Sequence, residues 1–494
     1  MTTTTTSLKG KISINGEYYD PLAPGSGWPD DGVFDYVVLG SGLTNSLLCG
    51  LLATKKGASV LHVDSERFYG GSCASLSLDA LFQKTLSRDP TTEEREVLGN
   101  SSDYNIDLVP KAMLSSGKLA KILVHTGALR YLDFRPIGET FMYKGTRSKL
   151  FPVPATVKAA IKSDMMGFFQ KRRFQQFLSF VEKCNTEDLK SLTTLKYDVT
   201  KLTMSELYKT FGLGKTECDL AGHVLGLQRD DLYLEKPAIQ TIRTIRLYVK
   251  SLSVFGRSAF IYPEYGLGGL AEACCRLCTI HGGIYLLNEK VDEILFDKSS
   301  GDAIGVRCGK KAAIGRHIIA EPAYVPKRCL VAMGEGGQRV VRSVFVLDHE
   351  IKHTDSESCQ IIIPQQQVEL AGLKPRKHDI FINCLSYIHR VAPTRRWVAI
   401  VSTVVEGKSS KNPYEELNLG VQMLGKTLAR FDLPISEMVA PKDEKSKTLF
   451  ISRSLDATSN FETVADDVML LWKRITGNDL DMSVGMRCST GGGD

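Results

Sequence analysis

The hydrophobic and polar positions along this chain follow two kinds of pattern, one typical of buried strands and one typical of amphipathic helices. A continuous apolar strand is predicted at 34–39, and a glycine-rich turn and an apolar helical stretch follow it. A second strand is predicted at 59–63 and ends on Asp64. This order, with a glycine turn after the first strand and an acid after the second, is typical of a dinucleotide-binding βαβ unit.

The glycine turn departs from the dinucleotide-binding pattern at one position. Gly40 and Gly42 stand where the first two glycines belong, but Asn45 takes the place of the third. In an intact unit the glycines let the backbone approach a pyrophosphate, the helix N-terminus holds it, and the acid, here Asp64, binds the ribose. Asn45 therefore raises the question whether this fold still carries a cofactor.

Two further cofactor contacts of amine-oxidase-type flavoenzymes are altered. Those enzymes follow the second strand with Gly-Gly-Arg, whereas Ser72 follows Gly70 and Gly71 here. Near the C-terminus they use a Gly-Asp pair, whereas Asp456 has no glycine before it. Together with Asn45, these changes predict that the chain binds no cofactor.

From about residue 154 to residue 247 the pattern becomes helical. One apolar stripe consists of Phe174, Phe177, Leu178 and Val181, and a matching stripe is expected from Ile161, Met165 and Phe169. After this segment the strand-type patterning returns. We therefore predict an α/β fold, a flavoprotein-like domain of several sheets, interrupted by an inserted all-helical domain.

The predicted organisation has five parts. They are a disordered N-terminal extension at 1–32, a first part of the flavoprotein-like domain at 33–153, the helical domain at 154–247, the second part of the flavoprotein-like domain at 248–484, and a flexible tail at 485–494. The extension is assigned as disordered because it is rich in Thr, Gly, Pro and Asp.

Composition excludes several classes of function. The 494 residues are 43% hydrophobic and 24% charged, which is ordinary for a soluble globular protein. A net charge of +6 is too mild to indicate nucleic-acid binding but is compatible with weak attraction to anionic membranes. No apolar run approaches the roughly 20 residues of a membrane span, and the N-terminus lacks the apolar core of a secretory signal.

Several motifs allow two interpretations. The cluster Cys274, Cys275 and Cys278 is typical of buried helix cysteines in a reducing cytosol, and zinc or redox chemistry is the alternative. Lys171-Arg172-Arg173 is either a solvated face or a contact with lipid headgroups or an acidic partner. Aromatic and methionine residues of the helical segment form either a core or a pocket for a flexible apolar ligand. They are Met165, Met166, Phe168, Phe169, Phe174 and Phe177.

From about residue 34 to residue 482 the chain resembles the Rab GDP dissociation inhibitors, in the superfamily shared with the Rab escort proteins. Specific motifs carry the resemblance. They are Leu39–Thr44, Phe68–Gly71, Asn105–Pro110, Arg130–Phe134, Lys171–Phe174, Tyr265–Gly268, Ser358–Pro364, Asp456–Thr458 and Phe461–Thr463.

The resemblance implies a function of binding alone, without catalysis. Proteins of this family bind prenylated, GDP-bound Rab GTPases, withdraw them from membranes, keep them soluble and slow GDP release. Their flavoprotein-like domain has lost its cofactor, and their helical domain takes the geranylgeranyl groups. For this chain the resemblance implies a cytoplasmic monomer with transient membrane contact and a prenyl pocket among Met165, Met166, Phe169, Phe174 and Phe177.

The resemblance also transfers roles to individual residues. Tyr69 and Arg276 match a tyrosine and an arginine of the Rab-binding platform, and Leu286 matches a platform methionine. The mobile loop that contacts membranes and the Rab C-terminus matches Phe255, Arg257, Ser258 and Phe260. Gly269 and Ile284 depart from the glutamate and threonine that the family often has there, which affects polar contacts to the GTPase.

Two alternatives stay open at the level of sequence. A Rab escort protein would present new Rabs to the prenyltransferase, but escort proteins usually carry long insertions that this chain lacks. A flavin-dependent amine oxidase is the alternative from another class, and it requires an intact cofactor site.

Overall fold

In the computed structural model, residues 11–24, 32–55, 57–154, 156–186, 188, 197–256, 258–334, 337–406 and 412–482 are described. Two large sheets and three small ones form the frame, and a helical segment is inserted between the strands Lys149–Pro152 and Phe260–Pro263. The predicted α/β organisation with an inserted helical segment is therefore present.

Nine strands form the sheet that carries the glycine turn. Val33–Leu39, Val60–Val63, Ile284–Leu286 and Lys311–Ala320 form its central parallel part, and Lys311–Ala320 also pairs in parallel with Glu17–Pro21 and Leu449–Ile451. The other strands of this sheet are Ile12–Ile14, Glu17–Pro21, Glu293–Phe296, Ala303–Cys308 and Leu449–Ile451. Because parallel strands end at the same edge of a sheet, Gly40, Asp64 and Glu321, each directly after its strand, come together.

The second large sheet has eight strands and lies in the other part of the flavoprotein-like domain. Its strands are Glu139–Lys144, Lys149–Pro152, Arg339–Leu347, Cys359–Ile363, Ile380–Ser386, Trp397–Val404, Ala429–Asp432 and Ser436–Glu437. Met113–Leu114, Phe134–Pro136 and Phe260–Pro263 form a three-stranded sheet, and Ser75–Leu76 with Ile106–Asp107 and Leu330–Ala332 with Val439–Pro441 form two-stranded ones.

Helices cover the sheets and build the insertion. Those of the flavoprotein-like part are Leu43–Ala53, Leu78–Leu86, Thr92–Leu98, Lys118–Thr126, Gly268–Ile280, Gln365–Leu370, Asn418–Leu424 and Glu462–Thr476. Those of the insertion are Val157–Lys162, Phe168–Lys183, Met204–Thr210, Lys215–Asp219, the π-helix Leu220–Leu225, and Ala238–Phe255. The predicted end of the insertion at 247 is wrong, because its last helix continues to Phe255 and stops at Gly256, whose φ is 82°.

The prediction of disorder up to residue 32 is wrong for residues 11–24. Ile12–Ile14 and Glu17–Pro21 form a hairpin, and its second strand pairs with Lys311 and Ala312 of the large sheet. Asn15 and Gly16 both have positive φ, as a tight hairpin turn requires. These two residues therefore form the turn that joins the strands. Residues 1–10 and 25–31 lie outside the described part of the chain.

The predicted stripe of Ile161, Met165 and Phe169 does not lie on one helix. The helix that contains Ile161 ends at Lys162, and the next helix begins at Phe168 after Gly167. Ile161 is exposed whereas Met165 is buried. The second predicted stripe is confirmed, since Phe174, Phe177, Leu178 and Val181 all lie on the buried face of the Phe168–Lys183 helix.

Candidate functional site

The glycine turn is filled by side chains of the chain itself. The N–H of Gly42 donates to Glu321 Oε1 at 2.5 Å, and the N–H of Ser41 donates to Asp64 Oδ2 at 2.6 Å. The hydroxyl of Tyr324 donates to Asp64 Oδ1 at 2.7 Å. The backbone donor and the acid that would serve a dinucleotide therefore already have partners within the protein.

The turn does not fit a diphosphate. A Cβ built on Gly40 or on Gly42 would come within 2.6 or 2.5 Å of the Glu321 carboxylate, so that carboxylate fills the space beside the turn. Burial raises the pKa of Glu321 to about 7, and the Gly42 N–H opposes this rise. A carboxyl group that ionises near neutral pH repels a phosphate that approaches the same N–H.

Asn45, the residue that replaces the third glycine, is buried and points back to the strand. Its Nδ2 donates to Leu39 O at 2.9 Å and to Gly40 O at 3.3 Å. The substitution therefore ties the helix to the end of the first strand, where a cofactor site would need an open backbone.

The C-terminal acid also has an internal partner. Lys111 Nζ donates to Asp456 Oδ1 at 2.5 Å, to Thr458 O at 2.8 Å and to Asn460 O at 3.0 Å. Lys111 is completely buried, and burial lowers its pKa. Burial acts to raise the pKa of Asp456, but Lys111 outweighs it and holds that pKa at about 2. Asp456 is thus one half of a buried ion pair.

A cleft of about 640 Å³ remains beside these groups, bordered by Asp64, Glu321, Tyr324 and Arg342. The groups that would hold a flavin dinucleotide are the Gly42 N–H and the carboxylates of Asp64 and Asp456. They are engaged by Glu321, Tyr324 and Lys111, respectively. The residues present therefore do not fit that cofactor.

The same turn now supports Tyr69. The N–H of Gly70 donates to Ser41 O at 3.1 Å, and Gly42 and Gly70 form a bridge between the two segments. Gly71 has a positive φ of 52°, and a Cβ there would come within 3.2 Å of the Gly42 Cα. The close approach of two glycine-containing segments fixes the backbone directly after Tyr69.

The Tyr69 ring packs edge-on against Tyr285 with ring centroids 5.9 Å apart. Tyr285 belongs to the edge strand Ile284–Leu286, so Tyr69 lies beside two other predicted platform residues, Ile284 and Leu286. These two are half-buried, and each packs on the core of the nine-stranded sheet. Tyr69 therefore lies at the edge strand that carries Ile284 and Leu286, but these two side chains pack on the other face of the sheet from Tyr285.

Arg276 lies on the helix Gly268–Ile280, which leads into that edge strand. Its guanidinium is exposed and lies over the ring of Tyr131, 4.6 Å from the centroid. Glu272, one turn earlier, is close enough to raise the pKa of Tyr69, although burial is the larger cause. We call Tyr69, Glu272, Arg276, Ile284 and Leu286 together the platform.

Gly269 lies in the first turn of the same helix. A Cβ built there meets Leu132 Cδ2 at 3.6 Å, an ordinary contact distance, so the position has room for a side chain.

The predicted mobile loop is only partly at the surface. Phe255 is exposed at the end of its helix, but Ser258 and Phe260 are buried. Phe260 begins a strand that pairs with Leu114, and the Ser258 hydroxyl accepts a hydrogen bond from the Phe260 N–H. Phe260 thus lies in a strand enclosed between two others, and the role of these residues in a mobile loop stays a prediction. Arg257 lies outside the described residues.

The candidates for a prenyl pocket divide into two groups. Met165, Met166, Phe174 and Phe177 are buried and belong to one large apolar cluster that extends from the helical insertion into the flavoprotein-like part. Phe169 does not belong to this cluster, since 72% of its surface is exposed. The packed group remains a candidate lining, whereas Phe169 faces outward.

Sequence reasoning missed Lys111, Glu321, Tyr324 and Arg342. Lys111 directly follows the Asn105–Pro110 motif, so its position was the one available signal. Glu321 and Tyr324 follow the strand Lys311–Ala320. That strand pairs with Val33–Leu39, about 280 residues earlier in the chain. No local pattern in the sequence reports such a pairing.

Cys274, Cys275 and Cys278 are buried on the helix Gly268–Ile280. Within the described ranges, no group of three or more His, Cys, Asp or Glu side chains is arranged to hold a metal ion. No helix in the same part of the chain has both the length and the apolar character that crossing a bilayer requires.

Comparison with known proteins adds the family. The family model "GDP dissociation inhibitor" matches residues 30–486. Rab GDP dissociation inhibitor beta of Rattus norvegicus is 39% identical over 452 residues, which cover 91% of this chain and 96% of that protein. The crystal structure of a Rab GDI from Plasmodium falciparum is 33% identical, with a TM-score of 0.82, and the match covers 91% of this chain and 99% of that one.

An oxidoreductase from Methanosarcina mazei shares the fold at 14% identity. The TM-score is 0.53, and the match covers 89% of this chain and 99% of that chain. Together with the Plasmodium falciparum structure, this likeness confirms the predicted flavoprotein-like α/β fold class.

Proposed function

The chain belongs to the GDP dissociation inhibitor family, and we propose that it binds prenylated, GDP-bound Rab GTPases, withdraws them from membranes, keeps them in solution and slows GDP release. It acts by binding and not as an enzyme. We place it in the cytoplasm as a monomer with transient contact to membrane surfaces.

One observation carries this proposal at the level of the site. The glycine turn is engaged by Glu321 and Asp64, and its backbone holds the segment that presents Tyr69. A turn with its donors satisfied internally can serve as a scaffold, and the resemblance assigns the residue beside it, Tyr69, to the Rab-binding platform. Tyrosine and arginine, here Tyr69 and Arg276, are residue types that dominate binding hot spots.

For the prenyl groups we propose the helical insertion. Each buried CH₂ contributes about 0.8 kcal/mol, so a carrier needs an apolar interior to compete with a membrane. Met165, Met166, Phe174 and Phe177 supply large apolar side chains in one cluster. Methionine adapts to a flexible chain more readily than branched residues do.

The platform is tested by measuring the affinity for a prenylated, GDP-loaded Rab. Tyr69→Ala and Arg276→Ala are expected to weaken binding about 30-fold each, which corresponds to about 2 kcal/mol at a hot spot. Tyr18→Ala and Arg328→Ala remove the same residue types at other exposed positions and serve as controls. Equal affinities for the wild type and all four variants would contradict the assignment of the platform.

A further inference from the structure

Two adjacent phenylalanines stand out from the helical insertion. Phe168 and Phe169 begin the helix Phe168–Lys183 and are 77% and 72% exposed. Their rings touch edge-on, with centroids 5.6 Å apart. Single exposed apolar residues are common, but a pair of contiguous aromatic rings with so much exposed surface marks an interaction site.

The backbone around the pair is anchored, so the rings are held outward. Immediately before them, Met165 and Met166 are buried, and Lys144 Nζ donates to Met165 O at 2.6 Å. Arg147 donates to Asp164 O at 3.1 Å, which ties the same segment to the tip of a hairpin.

Behind the pair, the next residues of the helix turn inward to a buried acid. Gln170 and Arg173 both bond to the carboxylate of Glu217, at 2.9 and 3.0 Å. Glu217 is completely buried, so its carboxylate interacts with these two partners and does not face the surface. The inner side of the helix is thus fixed, and the Phe pair occupies its outer side.

The surroundings of the pair are strongly basic. From Lys144 to Phe174 the sequence has eight lysines or arginines and one acid, Asp164. The exposed ones are Arg147, Lys149, Lys158, Lys162 and Arg172. The helix with Lys158 and Lys162 packs against the helix of the pair, and Arg147 bonds to the backbone of Asp164, four residues before Phe168. This local charge is far higher than the net charge of +6 over the whole chain indicates.

We infer that Phe168 and Phe169, with this basic surround, form a docking site for an anionic lipid bilayer. Aromatic rings at an interface insert to the depth of the acyl boundary, while lysines and arginines around them contact anionic headgroups. This inference deepens the membrane contact that belongs to the proposed function and assigns it to residues other than those of the platform and Phe255. A neutral protein partner would not require the basic surround, and the charge complementarity therefore selects an anionic membrane.

The test is sedimentation of the full-length chain alone with vesicles of phosphatidylcholine, with or without about 30% phosphatidylserine. The wild type should bind the anionic vesicles and leave the neutral ones. Phe168→Ser with Phe169→Ser should weaken binding about tenfold, and Lys162→Gln with Arg172→Gln should weaken it several-fold and flatten its dependence on salt. Leu232→Ser, which removes another well-exposed apolar side chain, should change nothing.

Because the substituted side chains are exposed, the variants should keep the thermal unfolding midpoint of the wild type. As a second measurement, Phe168→Trp should gain fluorescence quenching by brominated lipid relative to the wild type. Equal vesicle binding by the wild type and the Phe168 and Phe169 variant would overturn the inference, and so would a loss that follows Phe255→Ser instead.

A measurement of Rab binding in solution distinguishes a membrane from a Rab as the occupant of the Phe168 and Phe169 site. The Phe168 and Phe169 variant should bind a prenylated, GDP-loaded Rab in detergent-free buffer as the wild type does. If it lost that binding while it kept vesicle binding, the pair would contact the Rab or its prenyl groups, and the inference would be wrong. Failure of the wild type itself to bind Rab would contradict the proposed function and leave the vesicle comparison intact.

Discussion

The glycine turn and the helical insertion differ in chemistry. Polar and charged side chains close the turn, whereas apolar side chains fill the insertion. At the glycine turn, charged and hydroxyl side chains of the chain satisfy donors that once would have faced a ligand. In the insertion, a cluster of methionine and aromatic side chains fills the interior, and two phenylalanines remain outside. The polar network supports a protein-binding surface, while the apolar region has the chemistry to receive lipid.

The two kinds of interior differ in their sensitivity to substitution. A buried ionic network is sensitive to the removal of one partner, because the remaining charge is left in a low-dielectric interior. An apolar cluster tolerates changes of shape far better when volume is nearly kept. The two regions should therefore respond differently to substitution and to pH.

The largest effect is expected for Lys111→Met. The variant leaves the Asp456 carboxylate buried without its partner, and removal of one member of a buried pair costs about 4 kcal/mol of unfolding free energy. Denaturant unfolding measures this. Lys118→Met breaks the exposed pair with Asp466 and should cost below about 1 kcal/mol. Similar losses in the two variants would show that the ion pair of Lys111 does not hold the region together.

The second effect is a dependence on pH at Glu321. Its pKa in the folded protein is about 7, above the ordinary value of a carboxyl group, so protonation favours the folded state. The stabilisation is complete at acidic pH and is lost as pH rises through 7. Relative to Glu321→Gln, the wild type should lose about 2 kcal/mol of unfolding free energy between about pH 5 and pH 8. The expected loss is reduced to this value because Glu321 borders the cleft, where solvent screens its charge.

The control for this prediction is Glu235→Gln, which changes an exposed glutamate. The stability difference between this variant and the wild type should not vary over the same pH range. A flat difference for Glu321→Gln as well would contradict the assignment of a buried, titrating carboxyl beside the glycine turn.

A smaller effect is expected in the insertion, from Phe177→Leu. Phe177 is completely buried among Phe174, Tyr208 and Phe211, and a leucine keeps most of its apolar volume. We expect a loss of about 1.5 kcal/mol that is the same at acidic and neutral pH, because no titrating group is involved. A strong pH dependence of this loss would contradict the expected difference between the glycine turn and the insertion in their response to pH.

Much of the scaffold could be predicted from the sequence. The first two strands, the glycine turn and the apolar face with Phe174 and Phe177 follow from local periodicity, which the structure confirms. The hairpin at 11–24 was missed because Asn15 and Gly16 were interpreted as part of a polar extension, although the same pair is a signal for a tight turn.

The site was harder to predict, because its decisive residues come from distant parts of the chain. Tyr69 and Arg276 could be named through a family resemblance, and their roles stay predictions. Glu321 and Lys111 could not be named, since each acts on a partner about 280 or 345 residues away. The exposure of Phe169 was also unpredictable, because it depends on the break between two helices near Gly167.

A dinucleotide-binding fold whose glycine turn is closed by side chains of the chain itself serves here as a Rab carrier. The most direct test of this role is extraction of a prenylated Rab from liposomes by the purified chain, with the Rab loaded with GDP or with a non-hydrolysable GTP analogue. The account predicts that the GDP-loaded Rab moves into the supernatant in proportion to the added chain, while the GTP-loaded Rab stays on the vesicles. Equal extraction of both forms, or of neither, would contradict it.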